Sequence, residues 1–274
     1  MERVGEHPVP AGPLAVRWRA YELVEQRAGV TTKAQVVLEN AGSAPWRSRG
    51  REGVQLAYHW LDSLGNPIVW DGTRSAFPEV VRPGETVEVE SLLTAPRPPG
   101  RYRLAFDLVE EYRFWFQELG STTLDVVVDV RPRIDERRLT VRLHGPPDPD
   151  VEEALAAQQE PLVTDDATAV AHLVPGALPA ADWSRLLLDA HAEGYAAVGS
   201  AIDAESRADR RRLAAWAPGG GRNPRFAEPL LLPSLVDDVE PETYDGLPAA
   251  PASDGLFEGR AVVRLRSRSG RPSG

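Results

Sequence analysis

The sequence contains no cysteine in its 274 residues. Disulfide bonds, a thiolate zinc site and a cysteine nucleophile are therefore all excluded, so the fold must be stabilised by packing. The sequence also lacks an uninterrupted apolar stretch of the roughly 18 residues that a membrane span requires. The first thirteen residues hold Glu2, Glu6 and several prolines instead of a basic start and an apolar run. We therefore expect no secretory signal, no membrane span and a cytoplasmic location.

Lysine is nearly absent, and acidic residues outnumber basic ones by 41 to 31. The formal net charge is −10 at pH 7, and Lys33 is the only lysine. Such a balance argues against a protein that grips phosphate backbones, so we expect no nucleic-acid partner. The sequence has no Gly-x-Ser-x-Gly elbow, no zinc-binding helix motif and no dinucleotide glycine fingerprint. We therefore assign no catalytic residue, no metal ligand and no cofactor.

The chain is long enough for two domains, and its 42% hydrophobic and 26% charged residues are typical of globular proteins. We predict a two-domain fold that begins with an all-β, Ig-like sandwich over residues 14–131. A linker over residues 132–138 leads to a small α/β domain with a mostly parallel sheet over residues 139–265. We expect that domain to be irregular after residue 217 and residues 266–274 to form a disordered tail.

Apolar residues in the first half alternate with polar ones in short runs. Val54, Leu56, Tyr58 and Trp60 show the pattern, which recurs around residues 14–18, 30–38, 87–93, 102–108 and 124–130. Period two predicts half-buried antiparallel strands, and about seven such strands without a helical period predict a sandwich or barrel.

Six short motifs stand out in this half: NAGSAPW at 40–46, LAYHW at 56–60, DGTR at 71–74, RPGE at 82–85, PGRY at 99–102 and FDLV at 106–109. Together they resemble bacterial Ig-like accessory modules. Those modules are similar in broad pattern to the Ig-like domain of an autophagy receptor, and they often accompany glycosyltransferase or methyltransferase domains. The resemblance implies accessory or binding work without naming the ligand.

The second half shows a different pattern. Strand-like runs at residues 139–143, 167–174 and 195–202 are separated by helix-like runs at 151–158 and 183–193, the latter ended by Gly194. The order strand, helix, strand, helix, strand favours a small parallel sheet covered by helices.

Parts of this half, VPGALPAADW at 174–183 and GYAAVG at 194–199, resemble the nucleotide-sugar-binding (GT-A) fold of family 2 glycosyltransferases. In that family the corresponding strand ends in a metal-binding acidic motif. This chain has LVPGA at residues 173–177, which offers no side-chain oxygen to a divalent cation. The resemblance therefore implies a shortened, inactive relative.

Aromatic residues are the first candidates for a binding site. Tyr112 and Trp115 belong to an aromatic cluster that follows a predicted strand, and Trp70 lies beside a predicted loop. One interpretation is that these rings plug the open end of the sandwich, because large aromatic side chains are mostly buried. The other is a platform that stacks on a saccharide or fills a pocket of a protein partner.

The second half supplies the remaining candidates. His144 follows a predicted strand, at the edge where α/β folds place ligand contacts. Arg222 and Arg225 lie in the glycine-rich segment WAPGGGRNPRF at 216–226. That segment is either a flexible connector or a loop that binds phosphate or another acidic ligand.

Three hypotheses of function follow. The first is a non-catalytic accessory or interaction protein linked to glycan or cell-surface polysaccharide assembly, with a saccharide or protein partner. The second is a metal-independent glycosyltransferase that acts on a nucleotide sugar. The third is a structural protein whose second half dimerises. The sequence alone leaves the oligomeric state open.

Overall fold

The computed structural model describes residues 1–49, 52–143, 145, 149–173, 177–204, 234–236, 242–244, 247–249 and 262–265. The chain divides into two units, Met1–Arg131 and Pro132–Gly274. His144, the glycine-rich segment at 216–226 with Arg222 and Arg225, and the predicted tail at 266–274 lie outside the described residues.

The first unit consists of eleven strands and one short 3-10 helix. The strands are β1 (Glu2–Arg3), β2 (Val16–Leu23), β3 (Thr31–Asn40), β4 (Ser48–Arg49), β5 (Glu52–Leu61), β6 (Pro67–Val69), β7 (Ser75–Ala76), β8 (Thr86–Thr94), β9 (Gly100–Glu110), β10 (Phe114–Trp115) and β11 (Leu124–Val130), and the 3-10 helix is Phe116–Leu119.

These strands form two antiparallel sheets. The smaller sheet has the order β1-β2-β3-β8. The larger sheet is built on the long pair β5 and β9. Strands β10 and β11 extend the free edge of β9, while β4, β6 and β7 pair with the free edge of β5.

One core lies between the two sheets. Alternate residues of β2 and β3, such as Trp18 and Leu38, meet alternate residues of β5 and β9, such as Trp60 and Phe106, in a single buried cluster. Each of these four side chains is at most 2% exposed. The unit is therefore a two-layer antiparallel sandwich, as period-two burial requires.

The second unit contains two helices and nine strands within its described residues. They are β12 (Leu139–Leu143), α1 (Pro149–Ala156), β13 (Ala169–Leu173), β14 (Ala177–Pro179), α2 (Trp183–Ala192), β15 (Ala197–Val198), β16 (Ala201–Ala204), β17 (Ser234–Val236), β18 (Glu242–Tyr244), β19 (Leu247–Ala249) and β20 (Val262–Leu265). Neither helix has the length and apolar character to cross a membrane, and none of the other described segments is a helix of that kind.

The predicted fold class is wrong, because the second unit is not an α/β domain with a mostly parallel sheet. Its described strands form three small sheets, β12-β13-β17-β15, β14-β20-β16 and β18-β19. Only β12 with β13 and β16 with β20 pair in parallel. The other four pairings are antiparallel. The chain as described is mainly β.

The error has a physical origin in the third predicted strand, at residues 195–202. That run divides into β15 and β16, which belong to different sheets. Strand β17 comes from a proline- and acid-rich stretch and inserts antiparallel between β13 and β15. A strand of three residues is too short to show alternation, so the sequence pattern gave no sign of it.

His191 contributes to holding β17 in place. From α2, its Nδ1 lies 2.8 Å from the backbone oxygen of Tyr195, and its Nε2 lies 2.8 Å from Oγ of Ser234 in β17. The ring is fully buried. His191 is therefore an interior residue of the second unit. Burial, the largest cause, lowers the pKa of His191 to about 4. Neutral imidazole donates from Nδ1 to the carbonyl and accepts the serine hydroxyl at Nε2.

We predict that the ring resonance of His191, identified by its loss in His191→Gln, titrates near pH 4 in an NMR pH series. In the unfolded chain the same ring binds a proton near pH 6.5, so folding opposes protonation and stability falls as pH drops below 6.5. By pH 4.5 the second unit should lose about 2 kcal/mol through this group. A midpoint near 6.5 would contradict the buried, neutral assignment.

Candidate functional site

At the centre of the β5 and β9 pair, the outer face of the larger sheet is buried as completely as the face that lines the core. On the outer face, β5 presents Ala57 and His59 and β9 presents Ala105 and Asp107, all at most 2% exposed. The pairing places Ala57 opposite Asp107 and His59 opposite Ala105, so the four side chains share this face. Other residues must therefore cover this part of the outer face.

Two tryptophans provide much of this cover. The Trp70 ring stacks on His59, with centroids 4.1 Å apart and planes at 20°. Trp115 approaches the same imidazole edge-on at 4.4 Å, and the two indoles meet at 6.1 Å and 70°. Trp70 nevertheless remains 45% exposed. We call these two residues the tryptophan pair.

His59 is the support beneath the pair. Its Nδ1 donates to the backbone oxygen of Trp70, which fixes the ring beneath the indole. Its Nε2 is buried and has no hydrogen-bond partner among the described residues. Burial lowers the pKa of His59 below its usual value, so the imidazole is neutral at pH 7.

Arg74 connects the tryptophan pair to a group of charges. Its guanidinium carbon lies 4.8 Å from the centroid of Trp115, in a cation-π contact. The same guanidinium forms ion pairs with Asp71, at 2.5 Å, and with Glu111. It also donates to the backbone oxygen of Gly72 at 2.9 Å. One arginine thus ties the 71–74 loop to the turn after β9.

The loop is held against β5 at Gly72. The Gly72 amide donates to the backbone oxygen of Tyr58 at 3.0 Å. A Cβ at this position would lie 2.5 Å from that oxygen and 2.7 Å from the Tyr58 ring. Only glycine allows this approach, and the approach sets the path of the chain from Trp70 to Arg74.

A cavity of about 550 Å³ opens beside this loop, lined by Gln55, Asp71, Gly72, Thr73, Arg74, Ala76, Glu111 and Tyr112. Gln55 is only 3% exposed, and its amide nitrogen is buried without a hydrogen-bond partner among the described residues. A buried, unpaired amide is costly unless water or a ligand satisfies it.

Tyr112 stands at the rim of this cavity. Its side chain is 85% exposed, and its backbone has a positive φ of 64°. Bulky residues rarely adopt this left-handed conformation, which glycine or asparagine tolerates better. The fold thus keeps an aromatic ring in solvent at a strained position.

Asp107 fastens the segment that carries Trp115. One carboxylate oxygen accepts the Leu108 amide at 2.8 Å, and the other accepts the Gln117 amide of the 3-10 helix at 3.3 Å. Burial raises the pKa of Asp107 to about 7. The carboxylate therefore links the sheet to the segment that follows Trp115.

The structure brings together two of the predicted site residues, Trp70 and Trp115, and places Tyr112 at the neighbouring cavity. Phe116, which follows Trp115, is fully buried in the core and contacts Trp46 edge-on at 5.8 Å. The binding role of the other three stays a prediction. His144, Arg222 and Arg225 lie outside the described residues.

Sequence reasoning missed Gln55, His59, Arg74 and Glu111 as parts of this site. Gln55 and His59 occupy the positions of β5 that alternate with its core residues. A glutamine and a histidine at such positions fit an ordinary solvated face, so the pattern carried no sign that the face is covered. Arg74 ends the DGTR motif, which was noted only as part of a resemblance.

No protein-family model matches the sequence, and no curated protein matches it. Among solved structures, the C-terminal domain of wzt aligns over 43% of this chain and 74% of its own, at 14% identity and a TM-score of 0.32. A family 123 glycoside hydrolase from Clostridium perfringens aligns over 74% of this chain and 37% of its own, at 10% identity and a TM-score of 0.24.

A β-galactosidase structure from Bacteroides fragilis aligns over 53% of this chain and 23% of its own, at 14% identity and a TM-score of 0.23. The chain thus spans well under half of either enzyme. At TM-scores this low, none of the three establishes a shared fold, so the function must be argued from the site.

We predict that Asp107→Asn changes how the stability of the chain depends on pH. The folded-state pKa lies near 7 and the unfolded value near 3.8, so the folded state binds the extra proton between these values. Wild-type stability should therefore rise by about 2 kcal/mol through this group as pH falls from 8 to 5. The variant should lack that rise in denaturant unfolding at each pH. Parallel profiles for the two proteins would contradict the assignment.

Proposed function

We propose that the Met1–Arg131 unit is a non-catalytic binding module in which the tryptophan pair and the adjoining cavity hold a neutral saccharide. The chain would then act as an accessory protein in glycan handling. The observation that carries this proposal is Trp70, an indole that is 45% exposed and yet fixed by stacking on His59.

An exposed and immobilised indole suits a sugar ring. One face of a pyranose is formed by C–H groups, and a flat apolar surface can cover that face at little entropic cost when it is already ordered. Nearly half of the Trp70 indole remains in water. Covering that apolar surface with a ligand would be favourable. Tyr112 adds a second exposed ring 42 positions further along the chain.

The cavity supplies polar groups for the hydroxyl rim of a sugar. Asp71 and Glu111 accept hydrogen bonds, Arg74 donates them, and the Gln55 amide lacks a partner among the described residues. A few placed polar groups beside an apolar surface are typical of small-molecule sites. Two carboxylates against one guanidinium leave the lining negative, which disfavours an acidic sugar and favours a neutral one.

A protein partner is the competing occupant, because tryptophan, tyrosine and arginine are also enriched at protein interfaces. The cavity beside the rings favours the saccharide, because a concave site with a few polar groups suits a small ligand better than a flat protein surface.

We predict that Trp70→Ala weakens binding to neutral polysaccharide by at least about tenfold, the cost of losing one stacked aromatic contact. Affinity electrophoresis in gels that contain dextran, galactomannan or β-1,3-glucan measures this directly. Leu92→Ala is the matched control, since Leu92 is 44% exposed and lies in the smaller sheet, and it should migrate as wild type does.

Two results would overturn the proposal. One is that wild-type protein is not retarded by any neutral polysaccharide in the panel. The other is that Trp70→Ala and Trp115→Ala bind as tightly as wild type while Trp115→Ala loses stability, because the rings would then only support the fold.

A further inference from the structure

A larger groove lies beyond the turn that follows β9, apart from the tryptophan pair. Its volume is about 730 Å³, and its lining includes Arg47, Arg49, Arg113 and Glu110. Among the described lining residues, three guanidinium groups and one carboxylate sum to +2, in a chain whose formal net charge is −10. This groove is thus positive within an acidic protein.

Arg47 and Arg49 project from the same side of the chain. Arg47 directly precedes β4 and Arg49 ends it, and in an extended segment residues two apart face the same way, with Cα atoms about 7 Å apart. Ser48, between them, faces the fold: its hydroxyl donates to the backbone oxygen of Val54 at 2.7 Å and accepts the Phe77 amide at 2.9 Å. Both arginines are therefore directed away from the interior.

Neither of these two arginines forms an ion pair with a side chain that the structure describes, and both are exposed. The Glu110 carboxylate pairs with Arg113 at 2.7 Å, so its charge is balanced by that arginine. Two like charges held this close repel each other, and an anion placed between them relieves that repulsion.

The backbone under the arginines is fixed in place. The Val54 amide donates to the backbone oxygen of Arg47 at 3.0 Å, and Gly53 lies so close that a Cβ there would be 2.1 Å from the same oxygen. Gly53 has a positive φ of 82°, which glycine adopts without strain. The arginines therefore start from a fixed backbone, which reduces the entropy lost on binding.

The rest of the lining is largely apolar and includes Leu14, Pro45, Phe114 and Leu119. The Arg113 guanidinium lies 5.2 Å from the Phe114 ring centroid. Such a lining accommodates a carbon skeleton as well as a charge, and guanidinium groups recognise carboxylate and phosphate by paired hydrogen bonds.

We infer that this groove binds an organic anion through a carboxylate or phosphate group held between Arg47 and Arg49. The site is distinct from the neutral-saccharide site, and it does not rest on that proposal. Glu110 restrains Arg113 and limits the positive charge available to the ligand.

Isothermal titration of the full chain with inorganic phosphate and, separately, with glucuronate tests the inference. Sodium chloride at matched ionic strength is the baseline. Binding of either anion is expected, and Arg47→Ala and Arg49→Ala should each weaken it about tenfold. The response to the two anions shows whether phosphate or carboxylate is preferred.

Two further variants control for folding and for general charge. Arg101→Ala removes the same charge at the opposite end of β9, and it should leave the affinity within about twofold of wild type, as expected for a distant screened charge. Glu110→Gln should bind severalfold more tightly, because it frees Arg113, and a gain cannot come from misfolding.

The inference is overturned if neither anion binds beyond the chloride baseline, or if Arg101→Ala weakens binding as much as Arg47→Ala and Arg49→Ala do. Trp70→Ala should retain wild-type affinity for the anion. Its result therefore separates failure of this site from failure of the saccharide site.

Discussion

The double-sided burial of strands β5 and β9 is the constraint on which the rest of the first unit depends. Their inner residues, among them Leu56, Trp60 and Phe106, form the core between the sheets. Their outer residues, His59 and Asp107, are buried as well. A histidine and an aspartate so placed need both cover and hydrogen-bond partners. The 70–74 loop and the 115–117 segment supply both, and in doing so they bring the tryptophan pair together.

The alternation in β5 predicts its core face correctly but says nothing of what covers the opposite face. Val54, Leu56, Tyr58 and Trp60 are all at most 5% exposed, as period two requires. Gln55 and His59 fit a solvated face equally well, and their burial follows from residues 11 or more positions further along the chain. Long-range cover of this kind leaves no periodic signal, which is why the sequence indicated Trp70 and Trp115 but not the residues that join them.

In the second unit, the sequence pattern predicts the helices but not the pairing of the strands. The helices over 149–156 and 183–192 lie close to where the helical spacing places them, and Gly194, after α2, has the expected positive φ. Strand pairing, however, was inferred from the order of elements alone. That inference fails when a short strand arrives from far along the chain, as β17 does when it bonds through Ser234 to the buried ring of His191. This contact joins residues 43 positions apart and contributes to holding β17 between β13 and β15, and no local pattern predicts it.

The turn after β9 explains how one small unit can keep two kinds of charge apart. Glu111 and Tyr112 line the cavity beside Arg74, whereas Glu110 and Arg113 line the groove beside Arg47 and Arg49. The Glu111 amide donates to the Gly53 oxygen at 3.0 Å, and the Arg113 amide donates to the Glu110 oxygen at 2.9 Å. Because these bonds fix the turn, its neighbouring side chains face different cavities. Glu111 pairs with Arg74 at the cavity, and Glu110 pairs with Arg113 at the groove. Asp71 then leaves the cavity lining negative, whereas Arg47 and Arg49 leave the groove lining positive. The positive φ of Tyr112 is the backbone distortion by which the chain passes from one cavity to the other within four residues.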